Sequence, residues 1–330
     1  MNWNWLKVCG YVTGLGVLIA IAIMGGRQAI LAPLTPNVVP LVSCLSTTGV
    51  LFALSGYRWR VIVNKLEGRS VATATTFLSY YLMSRLAAHY VSLTGSDLVI
   101  RPLMLKSADK LPLGRGIGSV VLDKAFDLLF VITLLIPAAF IMLQLASPSG
   151  LVAITIIALL VPWIVAFDNR LLPAVLRTGL RWARRVGSRI PLIGHRIPHQ
   201  DQTEEVRFEL LSRRTLTLIL ALTMLKYGAL VLRLFFLVQA LDLPISVTTI
   251  WAGIPIAQLS LLLAFTPGAL GVLEGGWYAV LSVMSVNPDA ISAFLIGQRL
   301  YWMAFSAVFA LVGYVGLMID RWASRNVRNV

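Results

Sequence analysis

Long apolar runs, separated by short polar or basic segments, follow one another along this chain of 330 residues. Several runs approach 20 residues, about the length of helix that crosses a hydrocarbon core roughly 30 Å thick. Apolar and polar residues do not alternate with a period of two, which disfavours a transmembrane β-barrel. The pattern therefore predicts an all-α, polytopic membrane protein whose residues 1–330 form a single integral membrane domain.

The apolar runs predict about eight transmembrane helices, together with re-entrant or broken helical elements. Two regions depart from a plain span. The segment 72–93 contains Arg85 and His89, and the stretch 247–286 is interrupted by prolines and glycines. The candidate helical segments are 6–25, 38–56, 72–93, 118–145, 150–167, 215–240, 247–265, 270–286 and 290–319.

Composition agrees with a membrane location. Hydrophobic residues make up 58% of the chain, charged residues make up 13%, and the mean hydropathy is +0.83. A soluble domain of this size carries more charge, so that class is excluded. The net charge of +14 is a signal of topology, because the basic residues gather between apolar runs with few aromatic residues among them. We expect no nucleic-acid partner.

Lysine and arginine residues concentrate in three segments, which are 57–71, 168–214 and the tail after residue 319. Cytoplasmic loops carry such an excess, so these segments and both chain termini are predicted to be cytoplasmic. An even number of crossings must then separate the first two segments. Because 118–145 and 150–167 supply two crossings, residues 72–117 must enter the membrane and return, as a hairpin or as a broken, re-entrant element.

The cytoplasmic basic loop 168–214 contains a pattern of its own at 170–186. Four arginines share one face of a helix there, and leucine, valine and alanine residues line another face. A basic amphipathic helix of this kind lies on an anionic lipid surface and gains about 1 kcal/mol per basic residue near that surface. The four arginines are Arg177, Arg181, Arg184 and Arg185.

Charged residues inside apolar runs mark three candidate sites, at 95–102, 119–127 and 266–276. Each such charge costs about 2.5–3.5 kcal/mol at the centre of a membrane helix, so mutual pairing in one polar cavity is expected. The predicted cavity residues are Arg85, Asp97, Arg101, Asp123, Lys124, Asp127, Glu274 and Arg299. The predicted broken-helix glycines are Gly95, Gly268, Gly271 and Gly275.

Two of the clusters also have a plainer interpretation, and the first of these is the cluster at 119–127. Asp123 and Asp127 lie four residues apart on one helical face, where like charges repel unless a cation lies between them or the two carboxylates share a proton. If Asp123 and Lys124 instead lie at the cytoplasmic boundary, where charge is tolerated, they need no partner. The cations proposed to separate the two aspartates are Arg101, Arg85 and Lys124.

Glu274 has a structural alternative as well, which is an ion pair with Arg299 or Arg233 that only fixes packing. Lys226 and Arg233 lie on one face of the segment 215–240 and are more often partners of buried carboxylates than ligand contacts. The histidines are scattered and the two cysteines lie in or beside apolar runs. We therefore expect no metal site and no cofactor.

Four motifs occur in order along the chain and together carry a resemblance. They are Tyr57-Arg58-Trp59-Arg60, Gly95 to Arg101, Asp123-Lys124 and Pro267 to Glu274. Over residues 40–319 they resemble the transmembrane, flippase-like domain of lysylphosphatidylglycerol synthases and the stand-alone membrane proteins similar to it. The resemblance implies lipid handling in a bacterial inner membrane. It also implies that the soluble aminoacyl-transferring domain is missing.

The chain departs from the family pattern at two places. The family often has Glu-Arg where this chain has Asp123-Lys124, and a basic residue where this chain has Leu273. A weaker grip on an anionic head group is one possible result. The two glycine-rich broken elements carry one carboxylate each, Asp97 and Glu274, which hints at an internal repeat, although no residue-by-residue match is evident.

The predicted function is flippase-like translocation of a phospholipid, glycolipid or isoprenoid-type lipid, without catalytic chemistry. Membrane lipids are the expected partners, and lipid-biosynthesis enzymes are candidates. One alternative is a membrane enzyme that uses a lipid-linked donor, with Asp97, Asp123 or Glu274 as general base. The other is a non-catalytic partner in a lipid-synthesis complex. Short loops outside the membrane favour transport.

Overall fold

The computed structural model describes residues 31–91, 95–108, 110–145, 147–168, 212–263 and 266–328, together with Gly16, Ile19 and Ile23. Within these ranges the chain is helical and contains no strand. The predicted amphipathic helix at 170–186 lies outside the described residues, as does most of the segment 6–25. The α-helices are α1 Val38–Glu67, α2 Ala74–Ala87, α3 Arg101–Ser107, α4 Leu113–Met142, α5 Pro148–Phe167, α6 Arg213–Ala240, α7 Val247–Leu263, α8 Val272–Val283 and α9 Pro288–Arg328.

Five of the described helices, α1, α4, α5, α6 and α9, are long and apolar enough to cross a membrane. The outward faces of these helices expose apolar side chains such as Ile157, Ile164 and Leu311, as lipid contact requires. The predicted all-α, polytopic membrane architecture is therefore confirmed. The predicted helix ends at residues 56 and 319 are wrong, because α1 continues to Glu67 and α9 continues to Arg328.

The first helical hairpin comprises residues 74–107. Thr73 caps the start of α2 by accepting a hydrogen bond from the Thr76 amide. The chain turns after Ala87 and returns through a π-helical turn, Ser96–Ile100, that leads into α3. The Ser96 hydroxyl donates to the Ser84 carbonyl at 2.5 Å and joins the two arms. This is the hairpin that the distribution of basic residues predicted between residues 72 and 117.

The second helical hairpin comprises residues 247–283. The sequence predicts two candidate spans here, 247–265 and 270–286, but α7 has 17 residues and α8 only 12. A 3₁₀ turn, Pro267–Ala269, separates them, and Gly268 and Gly271 adopt positive φ angles of 59° and 80°. Because residues with a Cβ rarely adopt such angles, these two glycines allow the chain to reverse direction here.

Helices α1 and α6 pack against each other in opposite directions. The Asn37 amide, just before α1, donates to the carbonyl of Ala240 at the end of α6, at a distance of 2.8 Å. Midway along the pair, Arg58 donates to the hydroxyl of Thr223. One hairpin follows the end of α1 and the other follows the end of α6. The two hairpins therefore start at opposite ends of this antiparallel pair.

The hairpin tips meet between those ends. The amide of Gly268, in the second hairpin, donates to the carbonyl of Ala88, in the first, at 3.1 Å. Backbone groups at the tips of re-entrant hairpins lie where no lipid can hydrogen-bond to them. Each tip thus provides a hydrogen-bonding partner for the other.

Most of the described chain consists of two copies of one helical unit. The first copy runs from α1 to α4 and the second from α6 to α9. An interval of 175 residues separates Val38 from Arg213, the first residues of α1 and α6, and also Leu113 from Pro288, the first residues of α4 and α9. Packing repeats as well, because α2 lies against α9 and α7 against α4. Since α1 and α6 are antiparallel, the copies are inverted relative to each other.

Polar residues recur at the same interval. The sequence analysis found no residue-by-residue match between the halves, because most other positions are apolar and interchange freely in a membrane helix. Matching each helix of the first copy to its counterpart in the second copy aligns the two halves of the sequence, which the apolar pattern alone does not do. The recurring pairs are Thr48 and Thr223, Arg58 and Arg233, and Lys124 and Arg299.

Candidate functional site: a charged cavity between the hairpins

A cavity of about 120 Å³ lies between the two hairpins and helices α1, α4, α6 and α9. One water needs about 10–15 Å³ by the same measure, so the cavity has room for several waters or a compact polar group. Its acidic lining residues are Asp123, Asp127 and Glu274. Its basic lining residues are Arg58, Arg85, Arg101, Lys124, Lys226, Arg233 and Arg299.

Asp97 anchors the first hairpin beside this cavity. It is fully buried, and three basic side chains surround its carboxylate. Arg101 approaches at 2.6 Å, Lys124 approaches at 2.5 Å, and Arg85 forms a third ion pair. The π-helical turn brings Asp97 and Arg101 onto one side of the returning arm, and α4 supplies Lys124. Four of the predicted cavity residues therefore form one cluster.

A cation lies between the Asp123 and Asp127 carboxylates, which is one of the two predicted arrangements, but it is none of the three predicted cations. The Arg58 guanidinium lies between them, 2.7 Å from Asp123 and 2.8 Å from Asp127. Lys226 contacts Asp127 at 2.6 Å, and Arg101 reaches Asp123 at 3.4 Å. Both aspartates are buried, so Asp123 does not lie at an exposed membrane boundary.

Sequence reasoning missed Arg58 as a site residue. It assigned Arg58 to the basic segment 57–71, whereas the side chain lies inside α1 and is only 1% exposed. The signal was present, because the apolar residues Val61, Ile62 and Val63 continue the helical pattern beyond it. Because Arg58 is buried, it does not count among the loop residues whose charge indicates membrane topology.

Aromatic rings support the cations of this cluster. The Arg101 guanidinium lies 4.3 Å from the centre of the Tyr81 ring and 5.6 Å from that of Trp59. Arg85 also lies over Tyr81, at 4.8 Å. Such contacts stabilise a cation that has lost its water, by about 2 kcal/mol or more. Neither ring was among the predicted site residues.

Glu274 and Arg299 form the corresponding cluster at the second hairpin. Glu274 is 2% exposed, and its carboxylate accepts a hydrogen bond from the Gly271 amide at 2.8 Å. Arg299 lies 3.6 Å from Glu274 and donates to the Gly268 carbonyl at 2.7 Å. The partner of Glu274 is thus Arg299 rather than Arg233. This pair fixes the turn and also lines the cavity.

The two clusters follow one plan. In each copy, a carboxylate on the returning arm of the hairpin pairs with a basic residue of the long helix that follows. Asp97 pairs with Lys124 in the first copy, and Glu274 pairs with Arg299 in the second. Lys124 and Arg299 are separated by the repeat interval of 175 residues, so the internal repeat extends to the site itself.

The predicted broken-helix glycines divide into two kinds. Gly268 and Gly271 have positive φ angles at the break. Gly95 precedes the π-helical turn with an ordinary helical φ of −64°, so its backbone conformation does not require glycine. Gly275 lies inside α8 with open space where a Cβ would be, and its assignment to the break is wrong.

These features define an integral membrane protein with a buried, cation-rich cavity where two inverted hairpins meet. Among the described residues, no three His, Cys, Asp or Glu side chains are grouped as metal ligands would be. The family model of the lysylphosphatidylglycerol synthase TM region matches residues 8–310. The chain therefore belongs to that family. Among curated proteins, no match to this chain is found.

Proposed function

We propose that this protein moves a lipid across the membrane, with the lipid head group in the cavity between the hairpins. The observation that supports this most directly is the cavity's excess of positive charge. Seven basic side chains line it, against three lining carboxylates and the adjoining Asp97. Buried charges need counter-charges, so an anionic group is the expected occupant. Membership of a family named for a lipid synthase agrees with lipid handling.

The inverted repeat supports translocation in particular. Many transporters consist of two inverted copies, with the substrate site at their junction near the middle of the bilayer. Here the junction is the contact between the hairpin tips, and Glu274 and Asp97 lie on the returning arms beside it. Movement of one hairpin relative to the other would open the cavity toward one side of the membrane and then the other.

The proposed orientation places residues 168–214 and both chain termini in the cytoplasm of a bacterial inner membrane. Lys65 lies at the end of α1 and Arg213 at the start of α6. Because these helices are antiparallel, both basic ends lie at the same end of the bundle. The loop 241–246, at the opposite end, contains no lysine or arginine. The first hairpin would then enter from the cytoplasmic side.

A liposome assay tests the proposal. The purified protein is reconstituted with a trace of fluorescent phospholipid, and the rate at which a membrane-impermeant quencher gains access to inner-leaflet lipid is measured. Wild-type protein should accelerate exchange, and Glu274→Gln should abolish the acceleration while leaving membrane insertion intact. Glu67→Gln is the matched control, since Glu67 forms an ion pair with Arg115 away from the cavity.

Two outcomes would contradict the proposal. Absence of exchange with folded wild-type protein would favour a non-catalytic role in a lipid-synthesis complex. Equal exchange by Glu274→Gln and Glu67→Gln would show that the cavity is not the route.

A further inference from the structure

Among the described residues, Arg233 is the basic residue of the cavity lining that has no carboxylate partner. It is 2% exposed and lies in the middle of α6. Within the described part of the chain, its Nε and Nη2 atoms have no hydrogen-bond partner. Its nearest aromatic contact is the Trp302 ring, 4.4 Å from the guanidinium carbon. A buried guanidinium of this kind is costly unless something else supplies acceptors.

The internal repeat shows what such an arginine requires. Arg58 occupies the corresponding position in the first copy, and its guanidinium is fully engaged. Its Nε donates to Asp123 at 2.8 Å, and its Nη1 donates to Asp127, also at 2.8 Å. Carboxylate oxygens from α4 therefore surround Arg58 on the cavity side.

The second copy retains the arginine but not its counter-ions. One repeat interval after Asp123 and Asp127, α9 carries Gln298 and Trp302. Both of these side chains line the same cavity as Arg233, and the Trp302 ring contacts the Arg233 guanidinium. Neither is anionic, so the positions that hold carboxylates in the first copy hold an amide and an indole ring in the second.

We propose that Arg233 binds the phosphate of a membrane phospholipid, whose oxygens take the place that carboxylate oxygens occupy around Arg58. This subsite rests on the proposed function and identifies the class of head group. The planar guanidinium donates two parallel hydrogen bonds that match a phosphate, and the Gln298 amide adds a donor that an aspartate lacks. Leu230, Leu234 and Leu295 line the same cavity and provide apolar contacts for the glycerol end of a lipid.

The test measures lipid retention by the purified, full-length protein in detergent, using native mass spectrometry and thermal unfolding. The probes are dioleoylphosphatidylglycerol, the phosphate-free lipid monogalactosyldiacylglycerol, and inorganic phosphate. Wild-type protein should retain phosphatidylglycerol at least about tenfold better than the galactolipid, because only the phosphate accepts two charge-assisted hydrogen bonds from Arg233. Arg233→Gln should lose this preference. Arg115→Gln, which alters a half-exposed arginine outside the cavity, should keep it.

A second variant separates ligand binding from a structural role. Gln298→Asp places in the second copy the carboxylate that Asp123 supplies in the first. It should raise the unfolding temperature of the lipid-free protein, because Arg233 gains a counter-ion, and it should weaken phosphatidylglycerol retention by a similar factor. An arginine that only fixes packing would show the gain in stability without the loss of lipid.

Three results would overturn the inference. They are an unchanged lipid preference in Arg233→Gln, unchanged retention in Gln298→Asp, and stabilisation by inorganic phosphate with none by phosphatidylglycerol. Retention does not require translocation, so the two proposals fail separately. Arginine-dependent retention without exchange in liposomes would refute transport alone. Exchange by wild-type protein together with an unchanged lipid preference in Arg233→Gln would refute the subsite alone.

Discussion

Replacing Arg58 with methionine tests whether this residue holds the core of the site together. Methionine keeps an unbranched, flexible side chain inside α1 and removes the guanidinium charge that lies between two buried aspartates. Arg58 itself is 1% exposed and donates to Asp123, Asp127 and Thr223. Its loss leaves the two carboxylates to repel each other across one turn of α4.

The expected loss follows from the contacts that survive. Asp127 keeps Lys226 at 2.6 Å, whereas Asp123 keeps only Arg101 at 3.4 Å. Removing one partner of a buried ion pair costs about 3–5 kcal/mol. Because Asp127 stays paired, most of that loss arises at Asp123. Arg58→Met should therefore destabilise the protein by about 3–5 kcal/mol, a large share of a typical total stability of about 5–15 kcal/mol.

Thermal unfolding of the purified protein in detergent measures this effect. Lys65→Met is the matched control, because Lys65 is an exposed residue of the same helix and should change stability by no more than about 0.5 kcal/mol. The double variant Arg58→Met with Asp123→Asn should recover part of the loss, since the uncompensated charge is gone. An unfolding temperature of Arg58→Met equal to that of Lys65→Met would refute the reasoning.

Three further predictions address the hairpins, the topology and the basic loop. Gly268→Ala should destabilise the protein by about 1–3 kcal/mol in thermal unfolding, because φ is 59° there and a Cβ would lie 3.2 Å from the backbone of His89. Gly275→Ala, the control, should be neutral or stabilising. Reporter fusions at residue 190 and at the C-terminus should both read as cytoplasmic, and an external reading of either would refute the orientation. A peptide of residues 168–190 should bind anionic vesicles, and binding at low salt should fall by about 1 kcal/mol per arginine replaced with glutamine; salt-insensitive binding would exclude the electrostatic account.

The sequence predicted the helices well where length and hydropathy alone decide their ends. The segment 150–167 corresponds to α5, Pro148–Phe167, and the segment 215–240 to α6, Arg213–Ala240. The hairpin between residues 72 and 117 followed from the distribution of basic residues. The end of α1 was misplaced because an arginine in an apolar run reads as a boundary unless its partners are known. Those partners, Asp123 and Asp127, lie on another helix.

The candidate site was predicted only in part, for a similar reason. Charges such as Asp97 and Glu274 stand out in apolar segments because their burial is costly. The structure places Glu274 in the cavity lining and Asp97 beside the cavity. The distinction between Arg58, which its neighbours neutralise, and Arg233, which they do not, depends on the inverted packing of the two copies. No local pattern in the sequence carries that information.

The hydrogen bond between the hairpin tips has a consequence for how the chain is assembled during synthesis. Ala88 emerges from the ribosome long before Gly268, yet the Ala88 carbonyl accepts its hydrogen bond from the Gly268 amide. The first hairpin therefore lacks this contact at membrane depth until the second hairpin has been inserted from the opposite side. The N-terminal half should consequently depend on the insertion machinery or on water until the last helices arrive. A truncated chain that ends before residue 247 should be a substrate for membrane proteases rather than a stable half-protein.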